Sequence, residues 1–204
     1  MLFYIGMLLW FITGNMIFKS IPDSKETPPA VSVIIAIRNG EDALPHLLTD
    51  LSSQDFSGEM EFILVDDESK DSTEKIIRKK SSIDKRFIYE SSMNGNHSLR
   101  QKKRALDAGI NRAHHEWLLF SDADCHLKTS WVRVMAAHFK DKVDYVAGYS
   151  EVERGNLLVT LFQSMDFLMM MIAVRGSINF GKAWGTSGQN QAYRKSLYKK
   201  VGGF

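Results

Sequence analysis

The chain has 204 residues, 44% hydrophobic and 25% charged, the proportions of a folded domain of ordinary size, which exclude a disordered or fibrous chain. Its 26 basic and 24 acidic side chains leave a net charge of +2, too small a surplus for the dense basic face of a general nucleic-acid binder. The single cysteine, Cys125, excludes an intrachain disulfide and a cysteine-rich zinc site.

Residues 1–18, MLFYIGMLLWFITGNMIF, carry no charged side chain and approach the roughly 20 apolar residues of a membrane-spanning helix. The first lysine, Lys19, follows the run instead of preceding it, which predicts an uncleaved N-terminal transmembrane anchor and not a cleaved leader. Lys19 and Lys25 then place the rest of the chain on the cytoplasmic side by the positive-inside bias, so the expected location is the cell membrane with a single N-terminal span. Residues 19–30 hold Pro22, Pro28 and Pro29 among polar residues and read as a linker. The domain proper is expected over 31–204.

VSVIIAI (31–37) is a β-branched apolar run typical of a strand buried on both faces, and apolar positions from Ala43 to Leu51 recur at helical spacing. EFILVDD (61–67) repeats the strand pattern, and Asp71, Ser72 and Thr73 supply a cap for a second helix. RFIYE (86–90) predicts a short strand, residues 99–114 an amphipathic helix, and EWLLFSDAD (116–124) a third long strand ending in acids. Leu157 to Val174 is apolar but interrupted by Thr160, Gln163, Ser164 and Asp166, which favours a buried or interfacial helix over a second span. On that reading Met165, Met169, Met170 and Met171 pack against neighbours or lipid. The alternation predicts an α/β fold, a mostly parallel, Rossmann-like sheet flanked by helices.

In such sheets ligands collect at the carboxyl ends of the strands. Arg38-Asn39-Gly40-Glu41, Asp66-Asp67 and Asp122-Ala123-Asp124 each follow an apolar run directly, so three polar clusters converge on one edge. Asp122 and Asp124 flank one residue, a spacing that lets two carboxylates share a hard cation with water and phosphate oxygens. Oxygen ligands without a histidine pair favour Mg2+ or Mn2+ over zinc, and His126 reads as a loop or packing residue. Arg38 as a partner of surface acids and Asp66 as a turn cap remain open alternatives. An aspartyl-nucleophile phosphatase matches LLFSDADCH only in part, since two strand-helix units precede it. A two-component receiver matches FILVDDES but needs a downstream Lys-Pro, and no proline lies beyond Pro45.

Four stretches in order, VSVIIAIRNGEDALPHLLTDLSSQDF, EFILVDDESKDST, KKRALDAGINRAHHEWLLFSDADC and GQNQAYRKSLYKKVGGF, closely resemble the family 2 glycosyltransferases from Val31 to Phe204. The resemblance implies a glycosyltransferase A-type fold, a nucleoside diphosphate sugar donor, a hexosyl-type transfer with inversion, and a glycan or lipid-linked acceptor at a membrane. It implies that Ala36, Arg38, Asn39 and Glu41 line the nucleoside pocket and that Asp67 faces the base, accepting the imide hydrogen of uracil or guanine. Lys102 would approach the diphosphate, Asp122 would contact ribose and metal, and Asp124 would ligate the metal. Gly40 stands where many relatives have Glu, and Glu41 is the substitute.

Gly185, Gly188, Gln189 and Asn190 match the segment that lies below the acceptor in relatives, although a plain loop before a helix fits these residues equally. The general base that acceptor attack requires is expected beyond Phe204, so transfer by residues 1–204 alone is expected to be weak or absent. A non-catalytic nucleotide-sugar-binding remnant, acting as an interaction module, is the alternative function.

Overall fold

The structure is a computed structural model that describes residues 2–17, 28–140, 142–152, 157–183 and 185–204. The chain forms two compact units, one from residues 1–21 and 147–187, the other from 22–146 and 188–204.

The second unit is built on a six-stranded sheet. Strands β1 (Val31–Ile37), β2 (Met60–Asp66), β3 (Phe87–Ser91) and β4 (Trp117–Phe120) run parallel, and β6 (Gln191–Arg194) lies antiparallel to β4. With β5 (Tyr145–Ala147) at the edge, the order is β3-β2-β1-β4-β6-β5. The mostly parallel sheet expected from the apolar runs is therefore present. The third long run is shorter than its sequence implied: the β4 ladder stops at Phe120, and Asp122 and Asp124 stand in the loop beyond it.

Alternate strand residues face opposite layers because side chains on a strand point to opposite sides. Val33, Ile35, Phe62, Leu64 and Leu119 pack with α2 (Leu44–Ser52), α3 (Thr73–Ile83) and α5 (Trp131–Ala136). Ile34, Ile63, Val65, Leu118 and Phe120 pack with α4 (Lys102–Arg112) and α7 (Lys195–Lys200). Helix α2 turns Leu44, Leu47 and Leu51 inward and carries a proline in its first turn, where the missing N–H costs nothing. The cap expected before α3 comes from Asp71, whose carboxylate accepts the Thr73 N–H at 3.0 Å, and not from the Ser72 side chain.

Gly109 fixes how close α4 lies to the sheet. A Cβ there would stand 2.5 Å from Ile34 Cγ2 and 3.0 Å from Val65 Cγ2, so the helix backbone rests directly on β1 and β2.

In the first unit, α1 (Leu2–Met16) packs on α6 (Leu158–Asn179). A Cβ on Gly14 would stand 2.3 Å from the Gly176 carbonyl oxygen, so the two backbones touch where both residues lack side chains. Asn15 Nδ2 donates to the Ile172 carbonyl at 2.7 Å, and Asn179 Nδ2 to the Gly14 carbonyl at 3.0 Å. Among the described residues the helix long and apolar enough to cross a membrane is α6, not the N-terminal run expected to be the transmembrane anchor. The reason is length: at about 1.5 Å per residue, the 15 residues of α1 fall short of a hydrocarbon core of about 30 Å. The 22 residues of α6 reach it. The buried alternative for α6 also falls, since Leu158, Phe162, Met165 and Met169 are exposed and only Met171, Gly176 and Ser177 are enclosed. Lys19 and Lys25, on which the orientation rested, lie outside the described residues.

A buried carboxylate couples this fold to pH. Glu61 on β2 accepts the Ser32 hydroxyl at 2.6 Å and the His114 N–H at 2.8 Å, and it shares a further 2.8 Å hydrogen bond with the His114 ring. Burial pushes its carboxyl up, but the hydrogen bonds from His114 and Ser32 outweigh burial and hold it below the ordinary carboxylate value. The folded state thus binds this proton less readily than the unfolded chain, and its contribution is complete above the unfolded value of 4.5 and lost as pH falls through the folded one. Glu61→Gln is expected to cost about 1–2 kcal/mol at neutral pH. In urea titrations that difference should shrink as the pH is lowered below the ordinary carboxylate range; a gap independent of pH contradicts the assignment.

Candidate functional site

The loops after β1 and β2 are zipped together. Asn39 N–H donates to Ser69 Oγ at 2.9 Å, Gly40 N–H to Thr73 Oγ1 at 2.8 Å and Glu41 N–H to Asp71 Oδ2 at 3.0 Å. In return, Lys70 N–H donates to Asn39 Oδ1 and Ser72 N–H to Glu41 Oε2, each at 2.9 Å. The hydrogen bond with Thr73, and those from the Glu41 and Thr73 N–H groups, outweigh the small cost of burial and lower the Asp71 carboxyl from its usual value. Gly40 is required here: a Cβ would stand 2.6 Å from Ile37 Cγ2. The departure noted at that position therefore answers a steric need, room for the Ile37 side chain. Glu41, expected beside the nucleoside, is engaged as a clasp between the loops. Ala36 is half-buried in β1, and Arg38 is exposed on the rim.

At the end of β2, Asp66 Oδ1 accepts the Ser69 N–H at 3.2 Å, which bears out its reading as a turn cap. Asp67 is buried, 5% exposed. The first turn of α4 then reaches across two strand ends. Arg104 pairs with Glu68, and its Nη2 lies 3.9 Å from Asp67 Oδ1 and 3.4 Å from Ser92 Oγ. Two residues earlier in α4, Lys102 Nζ bonds Asp122 Oδ1 at 2.5 Å. Asp67 and Asp122 are thereby gathered around one helical turn, and Asp124 stands exposed in the loop that follows.

Among the described residues three non-glycine positions have positive φ, and all border this edge: Asn39 (51°), Glu68 (56°) and Gln101 (54°). Each costs about 1–2 kcal/mol in an L-residue. At Asn39 and Glu68 the strain is held by the hydrogen bonds and the ion pair just described.

The start of β6 borders the same loop. Cys125 Sγ approaches Gln189 Oε1 at 3.9 Å, and Asn190 Oδ1 accepts the Trp131 indole N–H at 3.0 Å. Gly188 adjoins them in sequence, whereas Gly185 belongs to the first unit. Burial pushes the Cys125 thiol up, and the carboxylates of Asp122 and Asp124 add to the effect, so it stays protonated and a poor nucleophile. His126 lies 3.7 Å from Asp50 on the surface, in keeping with its loop reading.

Two residues escaped the sequence reading. Arg104 was hidden in the basic run RQKKR, where nothing distinguishes the one cation that turns inward. Asp107 accepts the Asn96 N–H and the Tyr198 hydroxyl, each at 2.8 Å, and fastens α4 to its neighbours. The signal for it was an acid on the apolar face formed by Ala105, Ala108 and Gly109.

Among the described residues no three His, Cys, Asp or Glu side chains cluster as a metal site. The carboxylates that would be open to a cation here are those of Asp124, which is exposed, and Asp122, were it freed from Lys102. That donor set fits an oxygen-loving ion whose other ligands are water and phosphate oxygens.

The sequence model of glycosyl transferase family 2 matches residues 32–202. A poly-beta-1,6-N-acetyl-D-glucosamine synthase of Staphylococcus epidermidis is 26% identical over 221 residues, which cover 99% of this chain and 51% of that protein. A 4,4'-diaponeurosporenoate glycosyltransferase of Staphylococcus haemolyticus is 27% identical over 168 residues, 82% of this chain and 43% of the relative. The chain thus spans about half the length of these curated relatives. Among solved structures, mannosyltransferase PcManGT from Pyrobaculum calidifontis, in complex with GDP-Man and Mn2+, superposes with a TM-score of 0.69 at 20% identity, over 98% of this chain and 55% of that one. That likeness shows a shared fold. S. aureus TarS 1-349 in complex with UDP-GlcNAc gives a TM-score of 0.56 at 25% identity, over 84% and 47%.

The clasp makes a local prediction. Glu41→Ala should speed amide exchange at Ser72 while the amides of β1 and β2 keep their protection; unchanged exchange at Ser72 would show that the loops hold without it.

Proposed function

The chain belongs to glycosyl transferase family 2, and from that membership we propose that it forms the donor-binding part of a glycosyltransferase that moves a sugar, with inversion, from a nucleoside diphosphate sugar to a lipid-linked or polysaccharide acceptor. The observation that carries this reading is the convergence of Asp67, Asp122 and Lys102 on one edge of the sheet through the first turn of α4. Asp67 faces the base as a hydrogen-bond acceptor. Ala36, Arg38 and Asn39 border the nucleoside, and Lys102 turns from Asp122 to the diphosphate. Asp124, with Asp122, holds Mg2+ or Mn2+, which offsets the negative charge that grows on the departing diphosphate. Gly188, Gln189 and Asn190 lie on the acceptor side, and Gly185 is assigned there from the sequence pattern.

The same reading places the first unit at a membrane. Support comes from the length and exposure of α6 and from how six of the unit's polar side chains are satisfied without water. Thr13, Thr160, Ser164 and Ser177 each return their hydroxyl to a carbonyl of their own helix, at 2.7–2.8 Å, and Asn15 and Asn179 bond across the helix pair. Internal satisfaction of this kind is what a hydrocarbon environment demands.

In a thermal-shift panel, UDP- or GDP-sugars with manganese should raise the melting temperature of the full chain by several degrees, because a ligand that binds the folded state stabilises it. Asp124→Asn should abolish the manganese-dependent part of the shift and leave the ligand-free melting temperature in place; an unaltered shift removes the metal role. Carbonate extraction should leave the protein in the membrane pellet, and Leu168→Asp with Met169→Asp should release most of it. Wild-type protein in the supernatant overturns the membrane assignment.

A further inference from the structure

We propose that α6 lies along a membrane surface and does not cross the bilayer, with both of its ends on the side that holds the sheet. The inference rests on the reading of the first unit as membrane-bound and fixes the topology that such binding takes.

The chain leaves the sheet at Ala147, the last residue of β5, and returns to it at Gln191, the first of β6. These strands belong to one sheet, so both tethers of α6 end on the same folded body and on the same side of any bilayer. Residues 148–157 lead into the helix and residues 180–190 lead out of it. At about 1.5 Å per residue, a helix of 22 residues set upright would carry one of its ends across a hydrocarbon core of about 30 Å. The tether from that end would then have to recross the core to reach its strand.

Neither tether is built to do so. Among the described residues of both segments none is helical, and lipid-exposed backbone outside a helix or a closed barrel leaves its N–H and C=O groups unpaired. The incoming segment also carries Glu151, Glu153 and Arg154, and the outgoing one Lys182, charges that hydrocarbon excludes. A helix with the composition of a span is thus denied a crossing by the sheet that holds its ends.

The side chains of α6 suit a helix that lies flat. Leu158, Leu161, Phe162, Met165, Leu168 and Met169 recur at intervals of three and four, the spacing of one helical face, and all are exposed. Gln163 and Asp166 fall on the other side, with Val159 and Met170 as apolar neighbours, and both are exposed. Laid in the interface, the helix buries its stripe among acyl chains and leaves Asp166 at the headgroups, where a charge stays hydrated. The same path bears on the site. Gln191 stands opposite Phe120 at the end of β4, so the return from α6 runs through Gly188, Gln189 and Asn190, the residues assigned to the acceptor. The acceptor segment is therefore the part of the sheet edge chained directly to the membrane-bound helix.

The test places single cysteines in the full chain carrying Cys125→Ser: Leu157→Cys before α6, Lys182→Cys after it, and Lys79→Cys on α3 to mark the side of the sheet. All three positions are exposed. Right-side-out and inverted membrane vesicles are each labelled with a membrane-impermeant maleimide. Leu157→Cys and Lys182→Cys should both label in the preparation that labels Lys79→Cys and not in the other. Labelling of the two positions in opposite preparations would show that α6 crosses and overturn the proposal. Where a cysteine variant fails to accumulate, trypsin acting on wild-type vesicles decides. Cleavage after Lys182 should accompany cleavage after Lys79 in one preparation; cleavage at the two sites in opposite preparations overturns the proposal. Wild-type protein that does not float with membranes in a sucrose gradient refutes the membrane reading itself, an outcome distinct from a membrane-bound chain whose α6 crosses.

Discussion

The helical turn from Lys102 to Arg104 carries two cations to two acidic strand ends, and the rest of the site depends on that bridge. Without it, Asp66, Asp67, Glu68, Asp122 and Asp124 would crowd one edge of a hydrophobic sheet with little to offset their repulsion. The two cations differ in how firmly they are held. Lys102 is 54% exposed, and an exposed pair of this kind is worth about 0–1 kcal/mol, so little holds it to Asp122. Arg104 is 16% exposed and braced by Glu68 and Ser92, so it stays where it is. One turn thus supplies one loosely held cation and another that is firmly braced.

The bridge works because α4 cannot drift. Gly109 lets the helix backbone rest on Ile34 and Val65, and Gly95 admits it on the other side, where a Cβ would stand 2.2 Å from the Arg104 carbonyl oxygen. Asp107 ties the middle of the helix to Asn96 and Tyr198. Burial drives the Tyr198 hydroxyl upward, and its hydrogen bond to Asp107 adds to this, so it remains a donor to that carboxylate. Positioning therefore comes from backbone contact and buried hydrogen bonds, and the charges on the first turn are left available for chemistry.

How much of this was legible in the sequence follows from which residues act alone. The strands β1, β2 and β4 are runs of apolar residues that need no partner to be recognised, and the polar residues that follow them mark the edge of the candidate site. Arg104 acts only through where α4 is laid, and a run of five polar and basic residues, RQKKR, gives no sign of which member turns inward. Glu41 is a mixed case: the acid is legible in its motif, but the hydrogen bond it accepts from the Ser72 N–H in the next loop is not. The helix long and apolar enough to cross a membrane was misplaced for a related reason. Absence of charge marked residues 1–18, but a span also needs length, and α6 has it despite Asp166, the ninth of its 22 residues, after which FLMMMIAV runs without a polar side chain.

Strain and clasp belong to one physical account of why the site stands ready before a ligand arrives. Left-handed Glu68 would relax if its loop were loose, since nothing intrinsic to Glu favours that geometry, and Asn39, which tolerates it better, is held there as well. Asn39 is pinned by Ser69 and Lys70, and Glu68 by Arg104. The loop after β1 is thus fixed to the loop after β2, and the loop after β2 is fixed to α4, which in turn holds the loop after β4 through Lys102 and Asp122. A ligand entering such an edge does not have to order three separate loops, and the conformational entropy it would otherwise have to offset has been met by folding. Selectivity can then rest on small differences at the base and the cation, because the frame around them is already set.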